Sequence, residues 1–145
     1  MRTNNHIAVA SCLVFMAASA GCGSQFESID MRGSVSVDGQ TASAGYLTFL
    51  PNAAGRGTGG MGQIQADGSY LLRRVPLGPT TFTLAPQRTT GRKAETTDPR
   101  GKTITVDQQL PMIKGGTFAA GQTTVVLEVA RGMVRHDFEL TSDPR

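Results

Sequence analysis

Alternation with a period of two is the feature that most limits what this chain can become. In "GSVSVDGQ", residues 33–40, Val35 and Val37 fall on one face and Ser34 and Ser36 on the other, ahead of an Asp38-Gly39 turn. "GYLTFLP" puts Leu47 and Phe49 on a shared face and stops at Pro51. "GQIQADGSYLL" reads as a hairpin, with Ile64 and Ala66 leading into Asp67-Gly68 and Tyr70 and Leu72 leading out. "TTFTLAP" sets Phe82 and Leu84 against Thr81 and Thr83. "TTVVLEVARGMVRHDFEL" reads as two strands joined around Arg131-Gly132. Val125, Leu127 and Val129 face inward on the first; Val134, Phe138 and Leu140 do so on the second. Each such strand can bury only one face, so six or seven of them must close into two layers. The expected fold is therefore all-β, a single antiparallel β-sandwich of about seven strands over residues 31–141, with 142–145 as a C-terminal tail. Residues 87–121 fit least well. They are expected to hold an irregular excursion or an edge strand, for which "KTITVD", with Ile104 and Val106 together, is the candidate.

The N-terminus obeys a different logic. From Ile7 to Ala18 the chain is apolar apart from Ser11. That run is shorter than the roughly 20 apolar residues a spanning helix needs, but it suits the apolar region of a secretory signal behind Arg2. Two exits compete. Ala18-Ser19-Ala20 offers an A-x-A site for cleavage before Gly21, and Ser19-Ala20-Gly21-Cys22 resembles the bacterial lipobox, with Ser19 standing where lipoproteins usually carry Leu. Cys12 leaves with the leader by either route, so Cys22 has no partner for an intrachain disulfide. Acylation is the economical explanation for that lone thiol in an exported chain. Residues 1–21 are thus expected to be a lipoprotein signal peptide, Cys22 the lipidated residue and 22–30 a tether. The lipobox resemblance implies a membrane partner through the N-terminal lipid. Gly23 after the cysteine implies an outer membrane or cell surface, facing the periplasm or the exterior.

Charge excludes one large class of partner. Of the 14 basic residues Arg2 leaves with the leader, so 13 face 11 acidic ones, too mild an excess for nucleic acid. The single local excess is "RTTGRKAETTDPRGK", residues 88–102. It reads as a solvated loop, with a weak contact to anionic lipid or polysaccharide as its functional alternative.

No catalytic, metal or cofactor constellation emerges. "GRGTGG", residues 55–60, fits a dinucleotide-binding glycine pattern, but "QIQADG" follows it as strand and turn where a helix is needed. Gly101-Lys102-Thr103 imitates the end of a phosphate-binding loop, yet Thr96 stands where its first glycine should be. Asp38 and Asp67 each precede a glycine between strands, which turn chemistry explains without calcium. His136 is the one histidine left after processing and reads as a histidine at the margin of the core, without the partners that catalysis or zinc requires. Tyr70 is expected in the core. Tyr46, alternating against Leu47, is expected outside, a single aromatic platform in a chain without Trp.

The order of these pieces is similar to that of the carboxypeptidase-regulatory-like, or transthyretin-like, β-sandwich modules of small bacterial lipoproteins, which abound in planctomycetes. The matching stretches are residues 33–51, residues 66–86 ("ADGSYLLRRVPLGPTTFTLAP") and "VRHDFEL", residues 134–140. They are turn and core positions, so the resemblance implies a fold and is nearly silent on activity. Hydroxyisourate hydrolases share the transthyretin sandwich, but their histidines and Tyr-Arg-Gly-Ser tail have no counterpart in His136 alone and the ending "LTSDPR". The expectation is a non-enzymatic, lipid-anchored module with a structural or protein-interaction role at the cell envelope and no cofactor. The alternative is a periplasmic module for a carbohydrate or small molecule, using the loops around Gly55 to Gly62 and Arg88 to Lys102. An envelope protein or polysaccharide is the further partner class.

Overall fold

A computed structural model describes residues 26–52, 57–114 and 121–142. Among them lie nine strands and no helix: β1 (Ser28–Val37), β2 (Gln40–Thr41), β3 (Ala44–Pro51), β4 (Gly60–Gln63), β5 (Ser69–Pro76), β6 (Gly78–Thr97), β7 (Thr103–Pro111), β8 (Thr123–Val129) and β9 (Phe138–Leu140). The all-β sandwich read from alternation is the fold. One sheet gathers β5, β2 and β9 around β1, and the other gathers β4, β3, β8 and β7 around β6. Two features depart from the simple antiparallel picture. The strands number nine rather than about seven, and β9 runs parallel to β1, with Val35 beside Phe138. In addition, β1 begins at Ser28, inside the stretch expected as tether.

The alternating residues form the core as their spacing requires. Val35, Val37, Leu47, Phe49, Tyr70, Leu72, Phe82 and Leu84 are all buried. Phe82 from one sheet meets Phe138 from the other with ring centroids 5.5 Å apart and tilted by 49°. Phe49 and Tyr70 extend this aromatic line at either end, at 6.4 and 5.7 Å. Each buried aromatic of this kind removes 150–250 Å², roughly, from water, so the line is a main source of cohesion between the layers.

The expected hairpin at Asp67-Gly68 is not a hairpin. Asp67-Gly68 does make a tight turn, closed by the Gly68 amide on the Gln65 carbonyl at 2.9 Å. The strands it joins part company, however: β4 pairs with β3, and β5 pairs with β1 in the opposite sheet. Ala66 is exposed at this corner, while Ile64 is buried. Arg131-Gly132 likewise turns the chain from β8, paired with β6, toward β9, paired with β1. Val134 lies in the irregular return between them and is exposed rather than inward, because alternation sets a side chain's face only where the backbone is a regular strand. The Asp38-Gly39 turn is a true hairpin, β1 to β2, with positive φ at both residues as a type I′ turn demands.

Residues 88–102, expected as a loop, are instead the far half of β6 and the tip beyond it. β6 runs for 20 residues. Its first half is sandwiched between β3 and β8, and its second half pairs only with β7. The result is a two-stranded arm projecting from the sandwich. Its candidate strand "KTITVD" is the edge strand β7.

Candidate functional site

The arm leaves the sandwich at Gln87, which pairs with Ala44 on one side and Pro111 on the other. Beyond that point neither long edge has a strand partner among the described residues, and every residue of β7 is exposed. A two-stranded ribbon is marginal in water on its own. Local devices hold this one. Lys93 and Asp107 stand directly opposite each other with Nζ and Oδ1 2.5 Å apart. Asp98 ties the tip by accepting from the Arg100 and Lys102 amides at 2.9 and 2.8 Å. A bulge bends the arm where Thr89 to Lys93 on β6 faces Gln109 to Asp107 on β7. Within it Gly91 takes a positive φ and the Thr90 hydroxyl donates to the Gln108 carbonyl at 3.1 Å. Ile104, Val106 and Leu110 form a stripe along one face of the arm, exposed by 37%, 39% and 39%. Apolar side chains on an unpaired edge are what a strand or groove of another molecule can cover.

At the base of the arm the outer face of the five-stranded sheet makes a second surface. Tyr46 is exposed, as expected, and pairs across β3–β4 with Gln63. Gln87 and Gln109 line the same shallow depression of about 640 Å³, and the Gln122 amide donates to the Tyr46 hydroxyl at 2.8 Å. The ring is therefore fixed in orientation, with carboxamides around it that can both donate and accept. The rows beside it carry no charge: Met61, Thr48, Thr83 and Thr124 lie in register, then Leu50, Thr81 and Val126. Leu50, Met61 and Val126 are each more than half exposed. Such a face suits an uncharged partner.

The remaining sequence candidates are placed as follows. Cys22 lies outside the described residues, as do residues 55–56 of the glycine-rich stretch. Gly57–Gly60 lead into β4, where Gly60 packs so closely on the Phe49 ring that a Cβ would lie 2.6 Å from it, so the strand needs glycine for packing. Asp67 accepts from the Ser69 hydroxyl at 2.6 Å and the Ser69 amide at 2.9 Å, which holds its carboxyl below the usual range. That is turn chemistry. His136 sits half-buried at the core margin, its ring edge-on to Phe138 with centroids 4.7 Å apart. Its backbone matters more: the His136 carbonyl accepts from the Tyr70 hydroxyl, and its amide donates to Arg32. Among the described residues no three His, Cys, Asp or Glu side chains are grouped as a metal site would need.

The fold and these surfaces define an all-β sandwich with a projecting two-stranded arm. No family model matches the chain, and no curated protein matches it. One solved structure is similar, the crystal structure of a "putative carbohydrate binding protein" (PA1324) from Pseudomonas aeruginosa. It shares 13% identity and a TM-score of 0.42, over 81% of this chain and 90% of that one.

Proposed function

We propose that the chain is an exported, lipid-anchored β-sandwich module of the bacterial lipoprotein kind, without catalytic activity, that holds another protein at the cell envelope. The arm carries this reading: strands of β6 and β7 with open edges and an apolar stripe have no use to the sandwich's own core. The leader and Cys22 supply the anchor, since two or more acyl chains hold a protein on a membrane stably. The test has two parts in a bacterium that processes lipoproteins. The N-terminal peptide should begin at an acylated Cys22; an unmodified start at Gly21 would sink the anchor. A photo-crosslinking residue at Ile104 should give one discrete protein adduct, whereas labelling no stronger than at the exposed Glu139 would sink the docking role.

A second reading rests on Tyr46 and its glutamines: a periplasmic module for a neutral carbohydrate, the ring stacking on a sugar's apolar face while Gln63, Gln87 and Gln109 bond its hydroxyls. Saturable binding in a neutral glycan screen that Tyr46→Ala abolishes supports this reading. Binding unchanged by Tyr46→Ala counts against it.

A further inference from the structure

The outer face of the four-stranded sheet is chemically unlike the other. On β1 the outward positions are Ser28, Asp30, Arg32, Ser34 and Ser36, and on β5 they are Ser69, Leu71 and Arg73. Register brings distant residues into rows. Ser34 pairs with Ser69, and Arg32 lies between Leu71 on β5 and Arg135, which bridges it in parallel from the segment before β9. The next row breaks alternation. Between the paired positions Ile29–Val75 and Met31–Leu72, the single β1 residue Asp30 faces two of β5, so Arg73 and Arg74 both emerge exposed opposite Asp30. Arg74 adopts φ +56°, a conformation uncommon for a residue with a Cβ, and its amide donates to Asp30 Oδ1 at 2.9 Å.

These rows enclose a trough of about 590 Å³ lined by Arg32, Arg73 and Arg135 with Ser34, Ser69 and Leu71. Arg73 also lines a second pocket, to which Arg74 and Phe26 contribute. The trough's charges are unevenly matched. Asp30 lines it and Asp137 adjoins it through Ser34, but each already accepts a backbone amide, from Arg74 and from Ser34 respectively. Arg135 Nε lies 3.5 Å from Asp137, whereas Arg32, Arg73 and Arg74 have no carboxylate within 4.0 Å among the described residues. Arg32 and Arg135 are direct cross-strand neighbours, and like charges in that relation destabilise a sheet. An arrangement costly to the free protein is one that a bound anion relieves.

From this geometry we infer that the trough binds an acidic polysaccharide, a chain whose carboxylates are spaced by hydroxyl-bearing units. Guanidinium groups pair with carboxylates bidentately. Ser34 and Ser69 offer hydroxyls between the arginines, and Leu71 offers apolar surface for sugar ring faces. This site is on the opposite face from Tyr46 and stands independently of the neutral-carbohydrate reading.

The probe is a fluorescent oligogalacturonate, titrated against the full-length chain at low salt, with dextran as the neutral competitor. Saturable binding that dextran does not displace is expected. The double variant Arg32→Gln/Arg73→Gln should weaken it about tenfold or more, since each charged hydrogen bond lost is worth of the order of a factor of ten. The arm variant Arg88→Gln/Lys102→Gln removes the same charge and should stay within about twofold, because contacts outside the trough act only through screened charge. Arg32→Gln alone should also raise the melting temperature of the free protein by about 2 °C, through relief of the Arg135 contact. Should the double variant fail to fold, Arg135→Gln, at an exposed side chain, carries the same expectation of weakened binding. The inference is overturned by no uronate binding, by equal weakening in the trough and arm variants, or by binding to phosphatidylglycerol vesicles without binding to the oligogalacturonate.

Discussion

The Tyr70 hydroxyl donates a 2.5 Å hydrogen bond to the backbone carbonyl of His136, tying β5 to the segment that enters β9 across the whole width of the first sheet. Tyr70 is a core residue with its ring against Phe138, so this polar tip is its one link outward. Burial pushes the phenol's ionisation well above its ordinary value, and the Asp137 charge pushes the same way.

Tyr70→Phe should therefore lower stability by about 1–2 kcal/mol, the cost of leaving a partly buried carbonyl without its donor. The ionisation gives a second readout. Because the folded value lies above the unfolded one, the stability is fully present below about pH 10 and is lost as pH rises beyond it. In a Tyr46→Phe background, tyrosinate absorbance should appear only together with alkaline unfolding. Absorbance that rises while circular dichroism still reports a folded sheet would contradict this burial.

Gly33 allows the same junction to close. A Cβ there would lie 1.8 Å from the His136 carbonyl oxygen, and backbone cannot yield as a side-chain end can. Gly33→Ala should cost about 2–3 kcal/mol, at the upper end of overpacking. Hydrogen exchange should show Phe138–Leu140 losing protection before the β3–β6 pairing does. Uniform loss across both sheets would mean that the two layers do not open separately.

Acid sensitivity should trace to turn and junction carboxylates. The Ser34 hydroxyl and amide, with Arg135 behind them, hold Asp137 below the usual carboxyl range, as Ser69 holds Asp67. A depressed folded value means stability that is present above the unfolded value near pH 4 and lost as pH falls through the folded one. Urea midpoints measured from about pH 5 to pH 2 should fall, and Asp67→Asn/Asp137→Asn should flatten that fall. An unchanged slope in the double variant would place the acid response elsewhere.

The arm should open before the body. Amides of Ala94–Thr97 and Thr103–Asp107 lack a third strand and are expected to exchange through local fraying, well ahead of Thr80–Leu84 between β3 and β8. Replacing Ile104 and Val106 by Thr should change global stability by less than about 0.5 kcal/mol, as befits surface positions. A large loss would show the stripe covered by this chain itself.

Much of the fold was legible because burial of one strand face is a local signal. Val35, Leu47, Phe82 and Leu84 are inside for the reason their spacing gave, and Asp38-Gly39 turns as its residue types require. Tyr46 outside and Tyr70 inside follow from the same alternation. The site surfaces were less legible. Gln63, Gln87, Gln109 and Gln122 carry no individual signal, and only strand register gathers them at Tyr46. The arginine trough was missed for the same reason. The signal that could have found it is the doubled Arg73-Arg74 in a strand that otherwise alternates, which marks a bulge.

By itself the sequence determined which residues turn, which alternate, and hence that the chain layers strands around one core. Pairing was settled only by the tertiary structure. Asp67-Gly68 has the same turn chemistry whether its strands pair or part, and Arg131-Gly132 is no different. Which outcome wins depends on where Tyr70, Leu72 and Phe138 bury the most apolar surface, and that is against residues far off in the chain. The parallel entry of β9, the projection of the arm and the meeting of Arg32, Arg73 and Arg135 are consequences of that long-range choice.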